Sequence, residues 1–131
     1  MNPRYGDVVN DVTQFLAARA EACQHAGMDA ARIWVDPGFG FGKTLAHNLQ
    51  LLDALPGLCE LGYPVLVGLS RKSMIARILA RDVEDRLPGS LGLAVLAADR
   101  GASIIRTHDV GATADAVAMV EALHAQARED A

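Results

Sequence analysis

Ile33-Trp34-Val35-Asp36-Pro37-Gly38-Phe39-Gly40-Phe41-Gly42-Lys43-Thr44 runs from a short apolar segment into a carboxylate, then into three glycines alternating with two phenylalanines. The apolar segment is too brief for a helix and rich in strand formers, so a strand is expected over 33–36. Further on, Val65-Leu66-Val67-Gly68-Leu69-Ser70-Arg71-Lys72-Ser73 repeats the plan. Its strand is expected over 65–69, just after Pro64, and ends in small polar and cationic residues. A third apolar run, over 103–107, leads through Arg106 to His108. Each strand is expected to deliver chemistry at its C-terminal end.

Helical periods fill the intervals. From 7 to 26, Val8, Val12, Phe15, Leu16, Cys23 and Ala26 fall on one stripe, and Gly27 is a natural stop. A second helix is expected to open at His47-Asn48, with Pro56-Gly57 kinking or shortening it. A third begins at Lys72-Ser73, with Met74, Ile75, Ile78 and Leu79 on one face. Residues 81–88 read as a charged loop, and 90–98 as a buried helix that is nearly apolar all round. Thr113 is the expected N-cap of the last helix, and 126–131 a fraying tail.

Strands alternating with helices imply parallel pairing and right-handed crossovers, an α/β fold. A parallel sheet needs cover on both faces, and three strands are few. The first helix also has no strand before it. The natural unit is therefore expected to be larger, with this chain its C-terminal part.

Composition narrows the function classes. The 131 residues are 51% apolar with a formal charge of −4, enough for one core. No basic run suits a nucleic acid, and no run reaches the ~18 apolar residues that would cross a bilayer. The polar opening Met1-Asn2-Pro3-Arg4-Tyr5 carries no export signal, so a cytoplasmic location is expected. Cys23 and Cys59 lack metal-site spacing and read as small apolar residues in a reducing compartment.

Period-2 geometry groups the candidate site residues. Ile104, Arg106 and His108 point one way; Trp34 and Asp36 share a face; Gly68, Ser70 and Lys72 share another if the chain stays extended. If these are one face of adjacent strands, Asp36, Ser70, Lys72, Arg106 and His108 converge at one mouth, where parallel α/β folds bind ligands. The cations would suit an anion, and Asp36 would suit a heterocycle's amine and ring N–H. Gly42-Lys43-Thr44 is not the end of a P-loop, because that motif needs glycine where Pro37 stands. The glycines are expected to let the loop turn while Phe39 or Phe41 covers a flat ligand; the alternative is that both rings are core.

These motifs resemble those of dihydropteroate synthases. Asp36 to Thr44 with His47-Asn48 is similar to their DPGxGFGKT…HN signature, and Gly68 to Ser73 to their GxSRKS loop. Arg86-Leu87-Pro88-Gly89-Ser90-Leu91 resembles RLxGSL, Arg106-Thr107-His108-Asp109-Val110 resembles RxHDV, and Pro3 to Val8 resembles PxYxDV. The resemblance implies a (β/α)8 barrel of which residues 1–131 supply strands six to eight, with the N-terminal half absent. It implies joining 6-hydroxymethyl-7,8-dihydropterin pyrophosphate to p-aminobenzoate, with Mg²⁺. No metal ligand is expected in this chain; the Mg²⁺ ligand would lie in the missing half.

By the same resemblance, Asp36 would hydrogen-bond the pterin, and Lys72 would contact it near p-aminobenzoate. Phe41 would pack on the p-aminobenzoate ring, and Ser70 and Ser73 would hold its carboxylate. Arg106 would stack on the pterin and, with His108, hold pyrophosphate. Lys72, Arg106 and His108 are the catalytic candidates. A homodimer is implied for the whole enzyme. Self-association and no turnover are expected of this chain alone. The rival readings are a non-catalytic pterin- or anion-binding remnant and a pterin-binding methyltransferase relative; the Ser70 to Ser73 and Arg106 to His108 motifs favour the synthase.

Overall fold

The structure is a computed structural model that describes residues 7–39, 43–68, 72–81 and 85–130. The first helix, α1 (Val8–His25), starts where Asp7 caps it by accepting from Asn10 N at 3.2 Å. A single 3₁₀ turn, Ala30–Arg32, then leads into the Val35 segment. Helix α2 (Leu45–Asp53) is followed at once by the short α3 (Leu55–Cys59), which has proline in its first turn. The break at Ala54 is the interruption expected at Pro56: proline cannot donate the N–H that would continue α2. Strand β1 (Leu66–Gly68) leads to α4 (Lys72–Leu79) and α5 (Leu87–Asp99), and strand β2 (Ile104–Arg106) to α6 (Val110–Glu129).

β1 and β2 pair in parallel, Leu66 against Ile104, Val67 against Ile105 and Gly68 against Arg106. On the other side of β1, Val35 forms a single parallel bridge with Val65, donating to Pro64 O at 2.9 Å and accepting from Leu66 N at 2.8 Å. The spatial order is therefore the Val35 segment, β1, β2, all running the same way. The segment expected as a strand over 33–36 narrows to that bridge for two local reasons. The Ile33 N–H is spent on Ala30 O in the 3₁₀ turn, and the Asp36 carboxylate captures Gly38 N, bending the chain away. The strands expected over 65–69 and 103–107 are observed over Leu66–Gly68 and Ile104–Arg106; Leu69 lies outside the described residues.

Alternation divides the sheet. Ile33, Val35, Val65 and Val67 are buried in a core with Val8 and Val12 of α1, Leu51, Leu52, Leu55 and Leu58 of α2–α3, Met74 and Ile75 of α4, and Leu93 and Ala97 of α5. The other face is open: Trp34 is 60% exposed, and Asp36 and Arg106 are exposed. Phe39 is 1% exposed and belongs to the core, which decides its reading against a ligand lid. Phe15, expected on the buried stripe of α1, is 63% exposed, while Ala20 is buried.

Three helix starts differ from expectation. α2 begins at Leu45 rather than at His47, because Thr44 and His47 form a capping box: Thr44 Oγ1 accepts from His47 N at 3.1 Å and His47 Nδ1 from Thr44 N at 3.2 Å. α5 begins at Leu87, where Asp85 accepts from Leu87 N at 2.9 Å and Pro88 fits the first turn. α6 begins at Val110, so Thr113 is not its N-cap. Thr113 is buried in the first turn, with its hydroxyl 3.1 Å from that of Thr107. Thr107 also accepts from Asp109 N at 3.2 Å, which turns the chain straight from β2 into α6. The expected fraying tail is helical as far as Glu129.

Candidate functional site

The site begins where the Val35 bridge ends. Asp36 is the first residue beyond it, and its carboxylate accepts from Gly38 N at 2.8 Å. Aspartate two residues before a donor N–H makes a side-chain-closed turn, and Pro37 pre-sets the backbone within it. Gly38 takes the left-handed conformation, φ +73°, which other residues adopt only with strain. The chain then returns so that Lys43 Nζ donates to Gly38 O at 2.9 Å. Burial holds the Lys43 ammonium below the ordinary lysine range, and the nearby Asp36 carboxylate partly opposes the shift. Beside this turn lies a cleft of about 570 Å³, lined by Asp11, Phe15 and Leu16 of α1 together with Asp36, Gly38 and Lys43.

Arg106 closes β2 opposite Gly68 of β1, on the open face of the sheet. Its guanidinium lies across Gly68: a Cβ placed there would be 2.6 Å from Arg106 Nη2 and 3.0 Å from Nε. Asp36 stands on the same open face, two strand spacings across from Arg106 and two residues short of it along the strand direction, or roughly 12 Å. His108 follows two residues after Arg106 and is exposed. Asp36, Arg106 and His108 thus all occupy the C-terminal side of the parallel strands, an acceptor at one edge and two groups able to meet an anion at the other.

Lys72 and Ser73 open α4, so their backbone lies just past the end of β1. Their side chains, together with Phe41 and Ser70, lie outside the described residues. Lys43 and Gly68 carry geometry that the motif reading missed. The usable signal was a cation shortly after a glycine-rich turn that starts from a carboxylate.

Among the described residues no group of three or more His, Cys, Asp or Glu side chains is placed to hold a metal ion. No helix among them is long and apolar enough to cross a membrane. Cys23 and Cys59 are free thiols. Burial pushes the Cys59 thiol up from its ordinary range, as suits an uncharged packing residue.

The chain is 52% identical to a dihydropteroate synthase of Neisseria meningitidis serogroup C, over 94% of this chain and 44% of that protein. It is 46% identical to the dihydropteroate synthase of Escherichia coli (strain K12), over 92% of this chain and 43% of that protein. Among solved structures, the dihydropteroate synthase of Xanthomonas albilineans in complex with 7,8-dihydropteroate superposes with a TM-score of 0.89 at 51% identity, covering 95% of this chain and 48% of that one. The same enzyme with 4-aminobenzoic acid matches equally well, covering 46% of its chain. This chain therefore spans a little under half the length of the curated relatives it matches. The relatives bear out the resemblance drawn from the motifs. The family profile described as pterin binding enzyme matches residues 1–108, from the start of the chain to His108, and this chain belongs to that family.

Proposed function

We propose that this chain is the C-terminal part of a dihydropteroate synthase, its three parallel segments being strands six to eight of a (β/α)8 barrel. One observation carries the reading: Asp36 and Arg106 occupy one face at the ends of the two parallel segments that flank β1, in a chain about half identical to enzymes of that name. Two solved relatives, bound to 7,8-dihydropteroate and to 4-aminobenzoic acid, suggest the substrate classes.

In this reading the arylamine nitrogen of p-aminobenzoate forms a C–N bond to the methylene carbon of the dihydropterin. The C–O bond to pyrophosphate breaks, and the amine releases a proton. Asp36 accepts from the pterin's amine and ring N–H. Arg106 stacks on the ring and, with His108, meets the charge that develops on pyrophosphate, so the contribution is electrostatic. Lys72 contacts the pterin beside p-aminobenzoate, and Phe41 packs on the p-aminobenzoate ring. Ser70 and Ser73 hold its carboxylate near the start of α4. The described residues offer no metal cluster, so Mg²⁺ enters no step derived from this chain; its ligand would come from the part of the relatives outside the match. The assembled enzyme would be a cytoplasmic homodimer.

The test is complementation. The chain is co-expressed with the N-terminal part of the Xanthomonas albilineans relative, and dihydropteroate formation is assayed. Turnover is expected from the pair and none from either piece. Turnover by this chain alone would overturn the half-site reading. An inactive pair that nonetheless co-purifies would overturn the synthase reading in favour of a binding remnant.

A further inference from the structure

Gly68 is buried although it lies on the open face of the sheet. What covers it is Arg106, its register partner on β2. The three heavy atoms nearest to a Cβ built on Gly68 are Arg106 Nη2, Nε and Cζ, at 2.6, 3.0 and 3.1 Å. Paired residues of parallel strands point to the same side, so two ordinary side chains would stand next to each other here. The missing side chain at 68 instead leaves a seat that the guanidinium occupies.

We propose that Gly68 is a positioning residue that sets the pose of the Arg106 guanidinium, and through it the place where an anion and a flat ring are received. The inference rests on the reading of Arg106 as a ligand-binding residue. Gly68 itself touches no ligand in this scheme. Any side chain at 68 must displace the guanidinium, because contacts of 2.6 Å to nitrogen are not tolerated. The obstruction is the far end of a flexible side chain and not backbone, so the displacement leaves the fold intact. Gly68 is also not among the glycines with positive φ, so alanine there is not strained by its backbone conformation.

Gly68→Ala, Arg106→Met and the double variant separate this role from a structural one. The first readout needs no ligand: the Arg106 Nε–H resonance, and its cross-relaxation with the Gly68 Cα protons in the wild-type chain. In Gly68→Ala the resonance is expected to shift while thermal stability is retained or increased. The second is titration with inorganic pyrophosphate by calorimetry. Gly68→Ala is expected to bind about tenfold more weakly, as a displacement of about 1 Å can cost that much or more. Because the effect passes through Arg106, the double variant is expected to match Arg106→Met alone. An unmoved Arg106 resonance in Gly68→Ala, or losses that add in the double variant, would overturn the proposal. A wild-type chain that binds no pyrophosphate counts against the ligand-binding reading of Arg106, while the resonance still decides the role of Gly68.

Discussion

Lys43 Nζ donates to the Gly38 carbonyl at 2.9 Å, so the glycine-rich loop is tied back onto the turn from which it departs. The same turn is closed from within by Gly38 N and the Asp36 carboxylate. Burial lowers the proton affinity of Lys43, and Asp36 only partly restores it. Between the folded value and the ordinary 10.5, the unfolded chain therefore binds more protons at this site than the folded one. The cost of burying the ammonium is fully present below the folded value and is relieved as pH climbs toward 10.5. Urea unfolding of wild type and Lys43→Met from neutral pH upward should show the wild type gaining on the variant just below 10.5. Other titrating groups cancel in that difference. A difference that is flat with pH, or falls, would rule out the burial of this ammonium.

Asp36→Asn should separate ligand recognition from folding. An asparagine keeps an oxygen that can accept from Gly38 N, so the turn survives and stability should change by no more than about 0.5 kcal/mol. The amide loses the charge and one of the two acceptor oxygens that a heterocycle's N–H and amine would share. Losing charge-assisted hydrogen bonds costs about 1.5–3 kcal/mol, or roughly 10- to 150-fold in affinity. Calorimetric titration of the complemented enzyme with a dihydropterin checks this. Unchanged affinity would remove Asp36 from the site.

The α/β outline, and the placing of Asp36 and Arg106 on one face at the strand ends, were legible because they depended on local patterns. Strand, carboxylate and glycine lie consecutively from Ile33 to Gly42, and period-2 alternation was enough to place Asp36 with Trp34 and Arg106 with Ile104. What was not legible depended on partners distant in sequence or on competition for single hydrogen bonds. The 33–36 strand is curtailed by an Ala30 carbonyl and an Asp36 side chain, which no periodicity reports. Thr113 looks like a cap in isolation. Its hydroxyl goes instead to Thr107, six residues back, and that pairing buries it. Gly68 and Arg106 are far apart in the chain, and only the parallel register makes one the seat of the other.

Leu55 and Phe15 give a contrast in stability. Leu55 is 0% exposed and packs in the central cluster, so Leu55→Ala removes a fully buried side chain and should cost about 2–5 kcal/mol. Phe15 sits on the expected apolar stripe of α1 yet is 63% exposed. Phe15→Ala should stay within about 0.5 kcal/mol in the dilute chain. Chemical denaturation of both variants checks the pair. A loss of several kcal/mol for Phe15→Ala would mean that the ring is covered in solution.

Trp34 is the only tryptophan in the chain, and it reports directly on the open face of the sheet. Trp34 is 60% exposed, on the same face as Asp36, while Ile33 and Val35 on either side are buried. An exposed indole beside a strand edge is apolar surface that invites cover, either from a second copy or from the part of the relatives that lies outside the match. In dilute solution its fluorescence should be red-shifted and readily quenched by acrylamide. Raising the chain concentration should move the emission to the blue and slow quenching, with a parallel rise in sedimentation coefficient, if copies cover one another. Adding the N-terminal part of a relative should do the same at low concentration and should compete with self-association. Trp34→Ala should weaken both associations, since a large aromatic at the centre of a covered face commonly dominates its binding energy. Emission that is already blue and quench-resistant at the lowest concentration would show that the face is covered within the single chain.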